Sequence, residues 1–160
     1  VENKTAGDVA LKPFARIFRF GAPSTPSVWI QHEGLLGVPG DAGLQEITFY
    51  DAINEPAATF TGKTGGWIGI TDKYWASAII PDQKTSYAAT LEGEAAKDAT
   101  GLPMFLAEFE TEPSVVAAGS VASVKTNLYA GAKQAAIIEK YQDDLGIEKF
   151  DLMIDWGWFY

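Results

Sequence analysis

The stretch "LPMFLAEFETEP" (102–113) decides the fold, because its side chains change character at every step. Phe105, Ala107 and Phe109 are apolar, whereas Glu108 and Glu110 between them are charged. A strand turns successive side chains to opposite faces, so this period of two predicts one buried and one wet face. Antiparallel sheets with a single packed face produce such alternation.

The same reading extends outward along the chain. "TSYAATLEG" (85–93) puts Tyr87, Ala89 and Leu91 on one side, and "LQEITFYDAI" (44–53) sets Ile47 and Phe49 against Glu46 and Thr48. "PFARIFRF" (13–20) is a β-prone apolar run stopped by "GAPSTP" (21–26), and "SVWIQHEGLLGVPG" (27–40) is a second. "ATFTGKTGGWIGITDKYWASAIIPDQ" (58–83) predicts two strands, broken at Gly65–Gly66 and stopped at Pro81. "SVASVKTNLYAG" (120–131) sets Val124, Thr126 and Leu128 against Ser123, Lys125 and Asn127. Many short strands with few helices between them argue for a mainly β, antiparallel sandwich.

The period changes after about residue 130. Ala135, Ile138, Tyr141 and Leu145 recur at helical spacing, Lys140 and Asp144 stand four apart on the wet side, and Gly146 is placed to stop the helix. Phe150, Met153, Ile154, Gly157 and Trp158 then fall at i, i+3, i+4, i+7 and i+8. The expectation is one domain over 1–160, with strands from about 13 to 129 and a helical C-terminal region from about 130 to 160.

Composition narrows the function. The chain has 160 residues, 47% hydrophobic and 21% charged, an ordinary globular mixture long enough for a sizeable core. Its net charge of −9 repels phosphate backbones and anionic lipid, which argues against nucleic-acid partners. Without cysteine there are no disulfides, thiolate metal sites or cysteine nucleophiles. No basic segment followed by an apolar run opens the chain, and no stretch reaches the roughly 18 apolar residues of a membrane span.

Catalytic constellations are weak. His32 is the one histidine, and as an acid or base it needs a spatial partner; otherwise it is a strand or loop residue at a sheet edge. "PGDAG" (39–43) and "YQDD" (141–144) lack the ligand spacing of an EF-hand. "TGKTGG" (61–66) lacks the spacing of a phosphate loop and reads as a hairpin turn. Glu108 and Glu110 are explained by the strand period, so no catalytic, cofactor or metal residue is assigned.

The aromatics carry more information. Trp67, Tyr74 and Trp75 are either core or the wall of a groove that contacts a partner. The ending "GIEKFDLMIDWGWFY" (146–160) gathers Trp156, Trp158, Phe159 and Tyr160 in five residues. Trp and Tyr concentrate at membrane–water boundaries, so Phe150, Ile154 and these four are expected to form a membrane-proximal segment. The other reading is a C-terminal helix packing its rings on the sandwich, and the two are compatible.

Five segments in order, "HEGLLGV" (32–38), "GGWIGITDKYW" (65–75), "IPDQ" (80–83), "LYAGAKQ" (128–134) and the closing fifteen residues, resemble the large periplasmic domain of the YidC membrane protein insertase family. The resemblance covers about 13–160, although family members often carry a longer N-terminal portion, and "EGEAAKDATG" (92–101) matches no motif of the family. It implies a β-super-sandwich similar to galactose mutarotases with C-terminal helices, cofactor-free and non-catalytic. It also implies a place on the periplasmic face of a Gram-negative inner membrane, within a multi-pass parent protein. Implied partners are the Sec translocon components SecDF and SecYEG and nascent membrane proteins. The rival reading is a sugar-binding or mutarotase-like sandwich, in which His32 with a carboxylate would do the acid–base work.

Overall fold

The computed structural model describes residues 1–23, 31–96 and 101–155. Strands β1 (Val9–Leu11), β2 (Phe14–Phe20), β3 (Gly34–Pro39) and β4 (Gln45–Thr48) lead into helix α1 (Phe49–Asn54). Then come β5 (Ala58–Lys63), β6 (Gly66–Thr71), β7 (Trp75–Ile80), β8 (Tyr87–Glu94), β9 (Met104–Thr111), β10 (Ser114–Val116) and β11 (Asn127–Ala132). Helix α2 (Ala135–Leu145) and a 3₁₀ turn at Phe150–Met153 follow.

The strands form a four-stranded sheet in the order β2-β9-β8-β5, a five-stranded sheet in the order β11-β7-β6-β3-β4, and a β1–β10 ribbon. Every strand pairing among the described residues is antiparallel. The two large sheets face each other across a core of Leu35, Ile68, Ile70 and Ile79 from one and Tyr87, Ala89, Leu91, Phe105, Ala107 and Phe109 from the other. The alternation that opened the sequence reading is therefore the inner face of the four-stranded sheet.

A second core lies on the far side of the five-stranded sheet. Leu36, Val38, Trp67, Ala76, Ala78 and Ile80 pack there against Ile138, Ile147, Phe150 and Met153 of the C-terminal region. The five-stranded sheet is thus a middle layer. Its central strands β3 and β6 are buried on both faces and carry no alternation. Glycine is needed where these strands crowd together: a Cβ on Gly69 would stand 2.1 Å from the Ser77 carbonyl oxygen. At Gly66, with φ +81°, it would stand 1.8 Å from the Val38 carbonyl oxygen.

Several expectations are corrected. The run 44–53 is not one strand, because Thr48 caps a helix there: the Asp51 amide donates to its hydroxyl at 3.0 Å, and that hydroxyl donates to the Asp51 carboxylate. Residues 58–83 hold three strands, not two, since Asp72–Tyr74 form a turn between β6 and β7. "TGKTGG" is not a hairpin turn, because β5 and β6 belong to different sheets and the segment crosses between them. In 27–40 the strand begins only at Gly34, while 27–30 lie outside the described residues.

In 120–131 the strand spans Asn127–Ala132, and its faces are inverted relative to the expectation. Tyr129 packs into the second core whereas Leu128 and Val124 stay exposed. The helical region starts at Ala135 rather than about 130, since 130–132 still pair with β7. Its amphipathic reading holds at Ile138, which is wholly buried, and the Lys140–Asp144 pair and the left-handed Gly146 cap are both present. Tyr141 and Leu145 remain partly exposed beside β11.

Candidate functional site

The site is assembled from a mismatch between four strands and five. Strand β2 lies across from β7 and β6, and β9 across from β6 and β3, so β11 projects past the edge of the four-stranded sheet. Register places Leu128 opposite Ile79, Ala130 opposite Ser77 and Ala132 opposite Trp75. Side chains opposite one another share a face, and Ile79 faces the inter-sheet core, so Trp75, Ser77, Leu128 and Ala130 all point toward the layer the four-stranded sheet occupies. There that sheet has run out. Trp75 is left 62% exposed and Leu128 67% exposed.

The result is an open-sided groove of about 410 Å³. Ile70, Ala76, Ser77, Ala130 and Gly131 line it together with Trp75, and Ile17, Phe18 and Arg19 of β2 form the facing wall. Arg19 ties the wall to the floor: its Nη1 donates to both Asp72 carboxylate oxygens at 2.7 Å, and its guanidinium lies 5.0 Å from the Phe49 ring centroid. This half-exposed bridge spans the two sheets where their edges part.

Beside the groove, the β6–β7 turn presents Tyr74 to solvent with the Lys73 ammonium 5.2 Å from its ring. The turn is held by the Lys73 amide donating to Glu33 at 3.0 Å and the Lys133 amide donating to the Tyr74 carbonyl at 2.8 Å. Burial lowers the Lys133 ammonium pKa, against the opposing pull of Asp155, Glu33 and Asp72. Elsewhere, burial pushes the Tyr87 phenol well above its ordinary 10, and its hydroxyl donates to the Gly65 carbonyl at 2.6 Å.

The aromatic trio divides. Tyr74 and Trp75 share the exposed corner, but Trp67 is wholly buried on the opposite side of the same sheet. There its indole N–H donates to the Lys149 carbonyl at 3.0 Å and its ring meets Phe150 edge-on at 5.4 Å. Trp67 therefore does not wall the groove. Phe150 is likewise buried, as an anchor of the second core rather than a surface group, with Ile154 partly buried against the same cluster. Trp156, Trp158, Phe159 and Tyr160 lie outside the described residues.

Sequence reasoning missed Phe18, Leu128 and Ala130, because no local pattern says which sheet is wider. His32 sits before β3 and its polar groups hold structure: the backbone N–H donates to Asp155 and ring Nε2 to the Leu35 carbonyl, both at 2.9 Å. Glu108 and Glu110, read as an exposed face, pair across strands with Arg16 and Lys12. Asp41 is bound by Lys63 at 2.6 Å, which holds its carboxyl below the ordinary 3.8. No three of His, Asp and Glu gather as a metal site among the described residues.

Fold and groove define an antiparallel β-sandwich domain backed by C-terminal helices, open along one side. The chain belongs to the family described as the YidC periplasmic domain, which it matches over residues 1–160. It is 44% identical over 161 residues to a membrane protein insertase YidC of Beijerinckia indica, covering all of this chain and 26% of that protein. Similar proteins of the same name occur in Methylobacterium radiotolerans, at 42% over 168 residues and 27% of that protein, and Sinorhizobium medicae, at 40% over 160 residues and 26%. In both cases the whole of this chain is covered. The chain thus spans about a quarter of the length of the curated relatives it matches. No helix among the described residues is long and apolar enough to cross a membrane.

Proposed function

We propose that this chain is a non-catalytic interaction domain of a membrane protein insertase, standing on the periplasmic face of an inner membrane. There it contacts membrane proteins during their insertion and folding. The observation that carries the reading is the family match across all 160 residues, together with a groove whose exposed Trp75 and Tyr74 present large apolar area with polar handles. The single histidine points the same way, since its backbone N–H and ring Nε2 are committed to holding structure. The Sec translocon components SecDF and SecYEG are proposed neighbours of the parent protein, on the strength of the sequence resemblance.

The test is site-specific photo-crosslinking in the full-length insertase from the source organism. A benzophenone amino acid at Trp75 or Tyr74 is expected to form adducts with a stalled, labelled nascent membrane protein. The same probe at Glu139, exposed on α2 on the far side of the five-stranded sheet, is expected to form none. Equal labelling at all three positions, or none at Trp75 and Tyr74, refutes the assignment of the groove.

A further inference from the structure

Residues 148–155 cross the far face of the five-stranded sheet as a strap, and its two ends are fastened by different chemistry. At one end the Glu148 amide donates to the Gln83 side-chain oxygen at 3.1 Å, and the Trp67 indole N–H donates to the Lys149 carbonyl. Gln83 is itself locked to Gly66, whose amide donates to its Oε1 at 2.8 Å and whose carbonyl accepts from its Nε2 at 2.9 Å. Gly66 opens β6 and stands opposite Pro39, the last residue of β3.

At the other end the Asp155 carboxylate accepts from the His32 amide at 2.9 Å. His32 lies two residues ahead of Gly34, which opens β3 and stands opposite Thr71, the last residue of β6. The strap therefore runs from one end of these strands to the other, about 17 Å. Between its ends Phe150 and Met153 are buried in the second core, and the Asp151 amide donates to Gln142 of α2 at 2.9 Å.

The first fastening is neutral, an amide and an indole, whereas the second stands among charges. Lys133 follows β11, and its amide continues the ladder to β7 by donating to the Tyr74 carbonyl. Side chains alternate along a strand, so Lys133 leaves the sheet on the face of Tyr129, which packs in the second core with the strap. Burial opposes its ammonium, and of the carboxylates that favour the charge Asp155 acts most strongly, ahead of Glu33 and Asp72. Those two have commitments elsewhere: Asp72 binds Arg19, and Glu33 accepts from the Lys73 amide. A charge kept where it costs stability is accounted for by the geometry it enforces.

We propose that Lys133 is a positioning residue that, with the His32 amide, clasps Asp155, so that the strap has one permanent end at Gln83 and Trp67 and one releasable end at Asp155. With the clasp open, the last fixed point moves back to Met153 in the second core and the chain beyond it pivots there. A charge thereby sets the direction in which the chain continues past Asp155. The strap lies on the opposite face of the sheet from the groove, and its clasp operates whether or not the groove is a contact site.

The test is hydrogen exchange in the full-length insertase from the source organism, held in nanodiscs at one fixed pH. Three amides are compared: His32 at the clasp, Glu148 at the permanent end, and Phe109 of β9 as a measure of the sandwich as a whole. Lys133→Met is expected to speed exchange at His32 about three- to tenfold, as fits the loss of a half-buried charge partner. Glu148 should be unchanged, and Phe109 unchanged or slower. Lys133→Arg keeps the charge and is expected to restore most of the protection at His32. Asp155→Asn should act like Lys133→Met, and the double variant should be no faster than either, because both remove one interaction. Raising salt to 0.5 M should speed His32 in the native protein and leave it unchanged in Lys133→Met.

Unchanged exchange at His32 in Lys133→Met overturns the clasp. Equal acceleration at His32 and Glu148 means that the strap leaves as one piece, which overturns its two-ended construction. Acceleration of all three amides marks a loss of fold rather than of position and overturns the positioning role, as does additivity of the two substitutions.

Discussion

Phe150→Ala separates the two cores. Phe150 has no solvent exposure and meets Trp67 at 5.4 Å and Tyr129 at 5.7 Å, both edge-on at close to a right angle. Truncating a buried phenylalanine costs about 3–5 kcal/mol, including about 0.5–1.5 kcal/mol for each well-placed ring pair lost. Domains of this kind are stable by about 5–15 kcal/mol, so the variant should fold at 25 °C with a much reduced margin. Urea titration gives the total loss, and hydrogen exchange locates it.

Because Phe150 touches only the layer between the five-stranded sheet and the C-terminal region, protection should fall most at Ile138 and along α2. The β8 and β9 amides, which belong to the inter-sheet core, should lose less. A ring lying on the surface toward a membrane would cost no more than about 0.5 kcal/mol on removal. A measured loss under about 1 kcal/mol, or equal loss of protection in α2 and β9, refutes the two-core account.

Gly69→Ala drives a Cβ to within 2.1 Å of the Ser77 carbonyl oxygen and should destabilise by about 3 kcal/mol, read by chemical denaturation. Thr48→Ala removes the cap of α1 and should cost about 1 kcal/mol, with Thr48→Ser restoring most of it. Lys133→Met should raise thermal stability at pH 7. Burial depresses the pKa of this ammonium, so its penalty is present below the folded pKa and fades as pH rises through that value toward the unfolded 10.5. The gain from Lys133→Met should accordingly shrink as the pH approaches 10.5, and a constant gain would contradict the cause assigned here.

Legibility followed the number of buried faces. β8 and β9 were readable because one face packs and the other is wet, leaving a period of two in Tyr87, Ala89 and Leu91 and in Phe105, Ala107 and Phe109. β6 hid inside a longer run because both its faces are buried, and only the Asp72–Tyr74 turn separates it from β7. Helix α1 was missed although Thr48 and Asp51 stand at cap spacing, since a six-residue helix is too short for its own period to show. At the candidate site, the chain announced Tyr74 and Trp75 as large rings near glycines but could not say that Trp67 faces the other way.

The sequence by itself determined what local chemistry and pattern determine. It established the antiparallel β class, a change from strand to helix near the C-terminal end though some five residues early, the Gly146 stop and the family whose ordered motifs it carries. Only the tertiary structure decided that the five-stranded sheet is a middle layer, which buries Trp67 and Phe150 on its far side. Only it decided that β11 overruns β2, which leaves Trp75 and Leu128 bare. The physical reason is that alternation records whether a residue has a dry side, whereas the width of one sheet against another arises from pairings between strands far apart in the chain.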